Sequence, residues 1–208
     1  MIHDDGISIP LRHTYALEQV LGMLAATDDT IIVEVGSWTG YSTSIIARCT
    51  KGNIFAVDHW KGNTGTILTK YAFENDVFVK FMDNMESQGF KDRVHPIVAD
   101  SKTASLIFED NSLDLVFIDA DHRNSHVSED IKAWLPKVKT GGILCGHDCE
   151  GYYHLYPKDV RGRINKHCEE DYMVDIRVHP GVLKALHDCL SGKYNIVPNS
   201  SIWFFDKE

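Results

Sequence analysis

The chain of 208 residues is 43% hydrophobic and 25% charged, close to the averages for folded soluble domains, which excludes a disordered or collagen-like chain. Its 21 basic residues against 30 acidic ones leave a net charge of −9, so a nucleic-acid backbone would be repelled unless the few cations were gathered on one face. The start MIHDDGISIP lacks a basic and an apolar signal region, and no run approaches the roughly 18 apolar residues of a membrane span, so a cytoplasmic protein without membrane contact is expected.

Residues 1–29 read as an N-terminal helical cap, with apolar residues at helical spacing in Tyr15, Leu17, Val20, Leu21 and Leu24. Thr30 to Val35 reads as a short buried strand and Tyr41 to Cys49 as a helix. Asn53 to Val57 is a second strand, Thr66 to Ser87 one helix ended near Gly89, and Val94 to Ala99 a third strand. Ser112 to Ile118 makes a fourth, Ser125 to Leu135 a helix closed by Pro136, and Gly142 to Cys145 a fifth after a Gly141-Gly142 turn. Strands alternating with helices imply parallel pairing with helical crossovers. Residues 150–179 break this rhythm and read as a lid or substrate segment. Gly181 to Leu190 then reads as a helix, and Tyr194 to Val197 with Ile202 to Phe205 as a hairpin. The expected fold is α/β: one domain over 1–208, with a doubly wound, mostly parallel, seven-stranded Rossmann-like sheet and an antiparallel C-terminal hairpin strand. The five cysteines, an odd number at irregular spacings, read as reduced thiols rather than metal ligands.

In such a sheet the ligand crevice lies at the carboxyl ends of the strands. Glu34-Val35-Gly36-Ser37-Trp38-Thr39-Gly40-Tyr41-Ser42 occupies the first of these. Trp38 stands where a dinucleotide fingerprint needs glycine, and the Lys-Ser/Thr of a P-loop is absent, so both nucleotide motifs fail. Gly36 and Gly40 either make a tight turn or let the backbone approach a ligand. Asp58 closes the second strand, where a carboxylate would accept hydrogen bonds from a ribose or cap a turn. Asp119-Ala120-Asp121-His122 and Gly146-His147-Asp148 end the adjacent fourth and fifth strands. Asp119, His147 and Asp148 could therefore supply two carboxylates and an imidazole to a divalent cation, Mg²⁺ or Mn²⁺ by the oxygen ligands.

The acidic-x-Gly-x-x-x-Gly turn resembles the first motif of class I S-adenosylmethionine-dependent methyltransferases. Asp119-Ala120-Asp121-His122 is similar to the Asp-Ala-Asp-Lys of metal-dependent O-methyltransferases acting on catechols and caffeoyl-CoA, with His122 at the Lys position. Macrolide-sugar O-methyltransferases are similar in placing a His base three residues after a metal-binding Asp. His147-Asp148 departs from the Asp-Asn, Glu-Asp or Asp-Asp usual at the fifth strand. The widest resemblance is to the bacterial methyltransferase family 24 group. It covers Val57-Asp58-His59-Trp60-Lys61-Gly62, Leu135-Pro136-Lys137 and His179-Pro180-Gly181-Val182 besides the two clusters above.

The resemblance implies S-adenosylmethionine held by Glu34, Gly36, Ser37, Gly40, Ser42, Asp58, His59, Trp60, Asp100, Ser101 and Asp119, with Asp100-Ser101 near the adenine. It implies catalysis by His122 and Asp119 and a divalent cation on Asp119, His147 and Asp148. The expected partner is a small-molecule hydroxyl acceptor; nucleic acid is not expected, and a homo-oligomer stays open. Imidazole titrates near neutrality, so His122 is expected as general base. His179 reads equally as a helix cap or a substrate contact. Tyr152, Tyr153 and Tyr156 could line an acceptor pocket, and Trp38 and Trp60 could cover the cofactor or pack the core. The basic run Lys158, Arg161, Arg163, Lys166 and His167 reads as a solvated helix face. A cofactor-binding protein without catalysis, or a methyltransferase acting on nucleic acid or protein, are the competing functions; the ionisable cluster speaks against the first and the net charge against a nucleic-acid target.

Overall fold

The computed structural model describes residues 11–208, so the first ten residues of the expected N-terminal cap lie outside the described residues. Seven strands form one sheet: β1 (Ile31–Val35), β2 (Asn53–Asp58), β3 (Val94–Val98), β4 (Leu113–Ile118), β5 (Val138–Gly146), β6 (Asn195–Ile196) and β7 (Trp203–Asp206), in the order β3-β2-β1-β4-β5-β7-β6. The first five pair in parallel, and β7 pairs antiparallel with β5 and β6. Strand order reverses between β1 and β4, the switch point at which sheets of this kind open a crevice.

Both faces of the central strands are apolar, as helices on both sides require. Successive side chains of β1 and β4 point to opposite faces. On one face Val33, Val116 and Ile118 pack with Ile131 and Trp134 of α6 (Asn124–Trp134) and with Leu183 and Leu186 of α8 (Pro180–Cys189). On the other, Ile32, Leu115 and Phe117 pack with Leu17 of α1 (Leu11–Leu21), Ile45 of α2 (Tyr41–Cys49) and Phe81 of α4 (Val77–Ser87).

Three expectations change. The helix read over Thr66–Ser87 is two, α3 (Ile67–Glu74) and α4, because Asn75 is extended and the Asp76 side chain accepts the Val79 N–H as a new N-cap. A short helix, α5 (Ser101–Ser105), follows β3 with Asp100 as its cap. The Gly141-Gly142 pair is no turn before the fifth strand. It lies within β5, beside a register shift against β4 between Leu113 and Leu115, where glycine accommodates a bulge. Residues 150–179 carry a 3-10 turn (Tyr153–Leu155) and α7 (Lys158–Lys166). The basic run is on α7, where Arg163 pairs with Asp175 and His167 with Glu170. All five cysteines are free thiols.

Candidate active site

The chain leaves β1 through Gly36 (φ 93°) and reaches Gly40 (φ 87°), the N-cap of α2. A Cβ on Gly36 would lie deep inside contact distance of the Asp119 carbonyl oxygen, and one on Gly40 would meet Met85 and Phe81. These glycines are therefore dictated first by neighbouring chain, the end of β4 and helix α4, rather than by ligand approach alone. Asp58, at the end of β2, ties two loops together. Its Oδ2 accepts the Trp38 N–H at 2.9 Å and its Oδ1 the Trp60 N–H at 2.6 Å.

Asp58 faces a cavity of about 320 Å³ that Gly36, His59, Asp100, Ser101 and Asp119 also line. Asp100 works there as the cap of α5, and its bond to Thr103 holds its carboxyl below the usual range. Ser101 Oγ accepts the Trp134 Nε1–H at 2.8 Å. A second cavity, also about 320 Å³, shares Gly36, Trp38, Leu68 and Asp119 with the first and extends to Ser37, Ser42, His122, His147 and Asp148. The two together make one bent cleft across the strand ends, with Asp119 at the elbow.

Three of the residues expected on the cofactor line neither cavity. Gly40 is packed against α4. Trp60 is 6% exposed, lies against Phe78 and Phe81, and donates its Nε1–H to the Trp38 carbonyl at 2.7 Å. Glu34 is fully buried under the first loop, where it accepts the Thr43 hydroxyl. Burial pushes Glu34 up to about 7, only partly offset by the hydroxyls of Ser42, Thr43 and Ser37. A carboxyl raised on folding favours the protonated folded state, so its contribution is intact at low pH and is lost as pH rises from the ordinary carboxylate range through about 7. Wild-type stability should fall by about 1–3 kcal/mol across that window from this group. Glu34→Gln, which keeps an acceptor for Thr43, should flatten the fall in urea melts taken at several pH values.

Asp119, His122, His147 and Asp148 do meet, as expected, in one cluster. Asp148, in left-handed backbone (φ 61°), is its pivot. His122 Nε2 stands 3.0 Å from Asp148 Oδ2, and His147 Nδ1 is 3.1 Å from Asp148 Oδ1 and 3.7 Å from Asp119 Oδ1. Burial would lower both imidazoles, but the carboxylates outweigh it. His147 rises to about 9, chiefly from the charges of Asp148 and Asp119, and His122 lies well above the usual range through its bonds to Asp148 and Asp171. Asp119 is raised by burial, whereas the histidines hold Asp148 well below the usual range against its own burial. His122 thus stands between two carboxylates, Asp148 and Asp171, that favour its charged form.

The structure adds residues that no motif flagged. His13 of α1 places Nδ1 2.6 Å from His147 Nε2, and burial with the neighbouring His147 charge lowers it to about 4. Asp171 holds His122 Nδ1 at 2.6 Å, and Glu150 holds His179 Nδ1 at 2.6 Å. His179, the N-cap residue of α8 by position, makes no side-chain cap and instead turns into the cluster, 3.5 Å from Asp148. Asp130, raised to about 7 by burial, lines the first cavity beside Ser101. The tyrosines expected at an acceptor pocket go elsewhere: Tyr152 stacks on Tyr194 and Tyr153 lies against His187 of α8, so both fasten the 150–179 segment to the core, Tyr153 also donates to Asn165 within the segment, and Tyr156 packs beside them.

Residues 33–149, more than half of the chain, match a family described as a methyltransferase domain. An uncharacterised protein of Sinorhizobium fredii is 26% identical over 134 residues, 59% of this chain but 13% of that protein, so the chain spans a small part of that relative's length. An O-methyltransferase from Bacillus cereus, solved with S-adenosylhomocysteine, aligns at a TM-score of 0.58 and 15% identity over 99% of this chain and 84% of its own. The O-methyltransferase of tomaymycin synthesis from Streptomyces achromogenes, solved with S-adenosylmethionine, aligns at 0.61 and 10% identity over 98% and 83%. At these identities the structural likeness establishes the fold. With the family match, the chain belongs to the methyltransferase-domain family.

Proposed function

We propose that this member of the methyltransferase-domain family transfers the methyl group of S-adenosylmethionine to a hydroxyl of a small molecule. The observation that carries the reading is the bent cleft with Asp119 at its elbow. One arm, with Asp58, Asp100 and Ser101, has the polar lining suited to a nucleoside. The other ends on the ionisable cluster, where an acceptor hydroxyl would stand. A sulfonium methyl is already electrophilic, so the protein's work is to align the acceptor and remove its proton. Asp119 and His122, which both line the acceptor arm, are the groups in this reading that would receive that proton.

The cation that the resemblance implies is compatible with the donors present. One donor atom each of Asp119, His147 and Asp148 lies within 4.8 Å of the others, and the imidazole tilts the set toward ions that accept nitrogen, Mn²⁺ before Mg²⁺. When bound there, it would lower the pKa of the acceptor hydroxyl. Among the described residues no helix is long and apolar enough to cross a membrane.

Calorimetry with S-adenosylhomocysteine tests the cofactor. One equivalent should bind to wild type, and to Asp119→Asn with affinity reduced less than about tenfold, while methyl transfer in that variant drops about 10²-fold or more. Absence of binding to wild type would remove the reading altogether.

A further inference from the structure

Beyond the cleft, a third cavity of about 760 Å³ opens on the other side of Asp148, with Glu150, Asp171, Tyr172 and His179 in its wall. Here a second donor set stands, sharing only Asp148 with the first: one donor atom each of His122, Asp148 and His179 lies within 4.8 Å of the other two. We infer that His122, His179 and Asp148 form a binding site for a divalent transition-metal ion, with Asp171 and Glu150 as the carboxylates that orient its two imidazoles. The inference does not rest on methyl transfer.

Three observations support it. The first is spacing. His122 Nε2 is 3.0 Å from Asp148 Oδ2, and the His179 ring lies 4.6 Å from that of His122, centroid to centroid. Bonds of about 2.1 Å to an ion give donor–donor edges of roughly 3.0 Å in octahedral and 3.4 Å in tetrahedral geometry. The second is the ring of carboxylates behind the histidines. Metal-binding imidazoles as a rule have their other nitrogen held by a carboxylate or carbonyl. Asp171 Oδ1 holds His122 Nδ1 at 2.6 Å, which leaves Nε2 facing Asp148, and Glu150 holds the ring Nδ1 of His179 at 2.6 Å and its backbone N–H at 3.0 Å, which leaves Nε2 as that ring's donor to an ion. The third is access. Asp148, Asp171 and His179 all line the third cavity, and His122 and Asp148 line the second, so an ion can reach the donors from either side.

Two nitrogens to one carboxylate favour Zn²⁺, Co²⁺, Fe²⁺ or Mn²⁺ over Mg²⁺ or Ca²⁺. The ligands also come from two parts of the chain. His122 and Asp148 are at strand ends, whereas His179, Glu150 and Asp171 belong to the 150–179 segment. A bound ion would therefore fasten that segment over the acceptor arm of the cleft. The packing already brings the two parts together: Asn124 N–H donates to the Cys168 carbonyl at 2.8 Å, and any Cβ on Gly181 would collide with the His122 carbonyl.

The test is a Co²⁺ titration of chelator-stripped protein, followed by visible absorption and calorimetry. Wild type should bind Co²⁺ with the absorption of an imidazole-ligated ion, and Mg²⁺ in excess should not displace it. His179→Gln should lose that spectrum and at least about 10-fold in affinity. Asp171→Asn, at a side chain 58% exposed and so tolerant of change, should lose about 10-fold or more as an orienting carboxylate does. Asp119→Asn, which belongs only to the other donor set, should retain the spectrum. No Co²⁺ binding by wild type, or a spectrum lost in Asp119→Asn and kept in His179→Gln, overturns the inference. Binding of S-adenosylhomocysteine to the same stripped samples reports the cofactor reading separately, so either can fail without the other.

Discussion

Asp58→Ala should weaken binding of S-adenosylhomocysteine by about 10²-fold and cost about 2–4 kcal/mol of stability. The stability loss follows from what the carboxylate does within the fold itself. It accepts two backbone N–H groups, from Trp38 and Trp60, on two different loops, and its side chain is 11% exposed. Alanine leaves both donors without that acceptor, at about 1–3 kcal/mol for each that water cannot reach. The binding loss has two sources, which a second variant separates. Asp58→Asn keeps one acceptor oxygen but turns the other end into a donor facing a backbone N–H, so it should be destabilised about as much as alanine or slightly less. If the carboxylate also meets ribose hydroxyls, Asn should bind the ligand nearly as poorly as Ala, even at temperatures where both are folded. An Asn variant that binds like wild type would confine Asp58 to tying loops. Urea melts and calorimetry on both variants supply the numbers.

Asp58 also shows how the sequence reading worked. Its position was legible because short continuous apolar runs mark buried strands, and a parallel sheet puts every strand end on one edge; Asp119, His122, His147 and Asp148 come together for the same reason. Its hydrogen-bond partners were not, because backbone N–H groups of other loops leave no mark on side-chain patterning. The same limit hid Glu34, whose acidic position in the turn matched the resemblance while its side chain points beneath the loop to Thr43. Trp60 looks the same in sequence whether it covers a ligand or, as here, packs on Phe81. His13, Glu150 and Asp171 were invisible for a different reason. They reach the cluster from the first helix and from an irregular segment, with no fixed spacing to Asp148, and only tertiary packing defines their neighbours. The split between α3 and α4 was legible in principle, since Asp76 is a good N-cap residue, but the apolar spacing runs on across it.

Gly36→Ala should be strongly damaging: about 3–5 kcal/mol of stability, with loss of S-adenosylhomocysteine binding. Two costs add. The backbone at φ 93° disfavours any side chain by roughly 1–2 kcal/mol. The new Cβ would also press into the Asp119 carbonyl and Ala120 Cα, which are backbone and cannot rotate away, at a further 1–3 kcal/mol or so by analogy with overpacked cores. Gly89→Ala separates the two. Gly89 has a similarly positive φ of 76° but open space around it, so it should lose only about 1–2 kcal/mol and bind the ligand normally. The difference between the variants then measures the contact with β4. That contact matters for function because Asp119 is held from both sides: its N–H donates to the Val35 carbonyl at 2.8 Å, and its carbonyl abuts Gly36. Displacing it would move an ionisable residue that lines both arms of the cleft, so the nucleoside arm and the acceptor cluster should fail together. A Gly36→Ala protein that unfolds no more easily than Gly89→Ala, or that still binds the ligand at full affinity, would show that the two arms are not coupled through this turn.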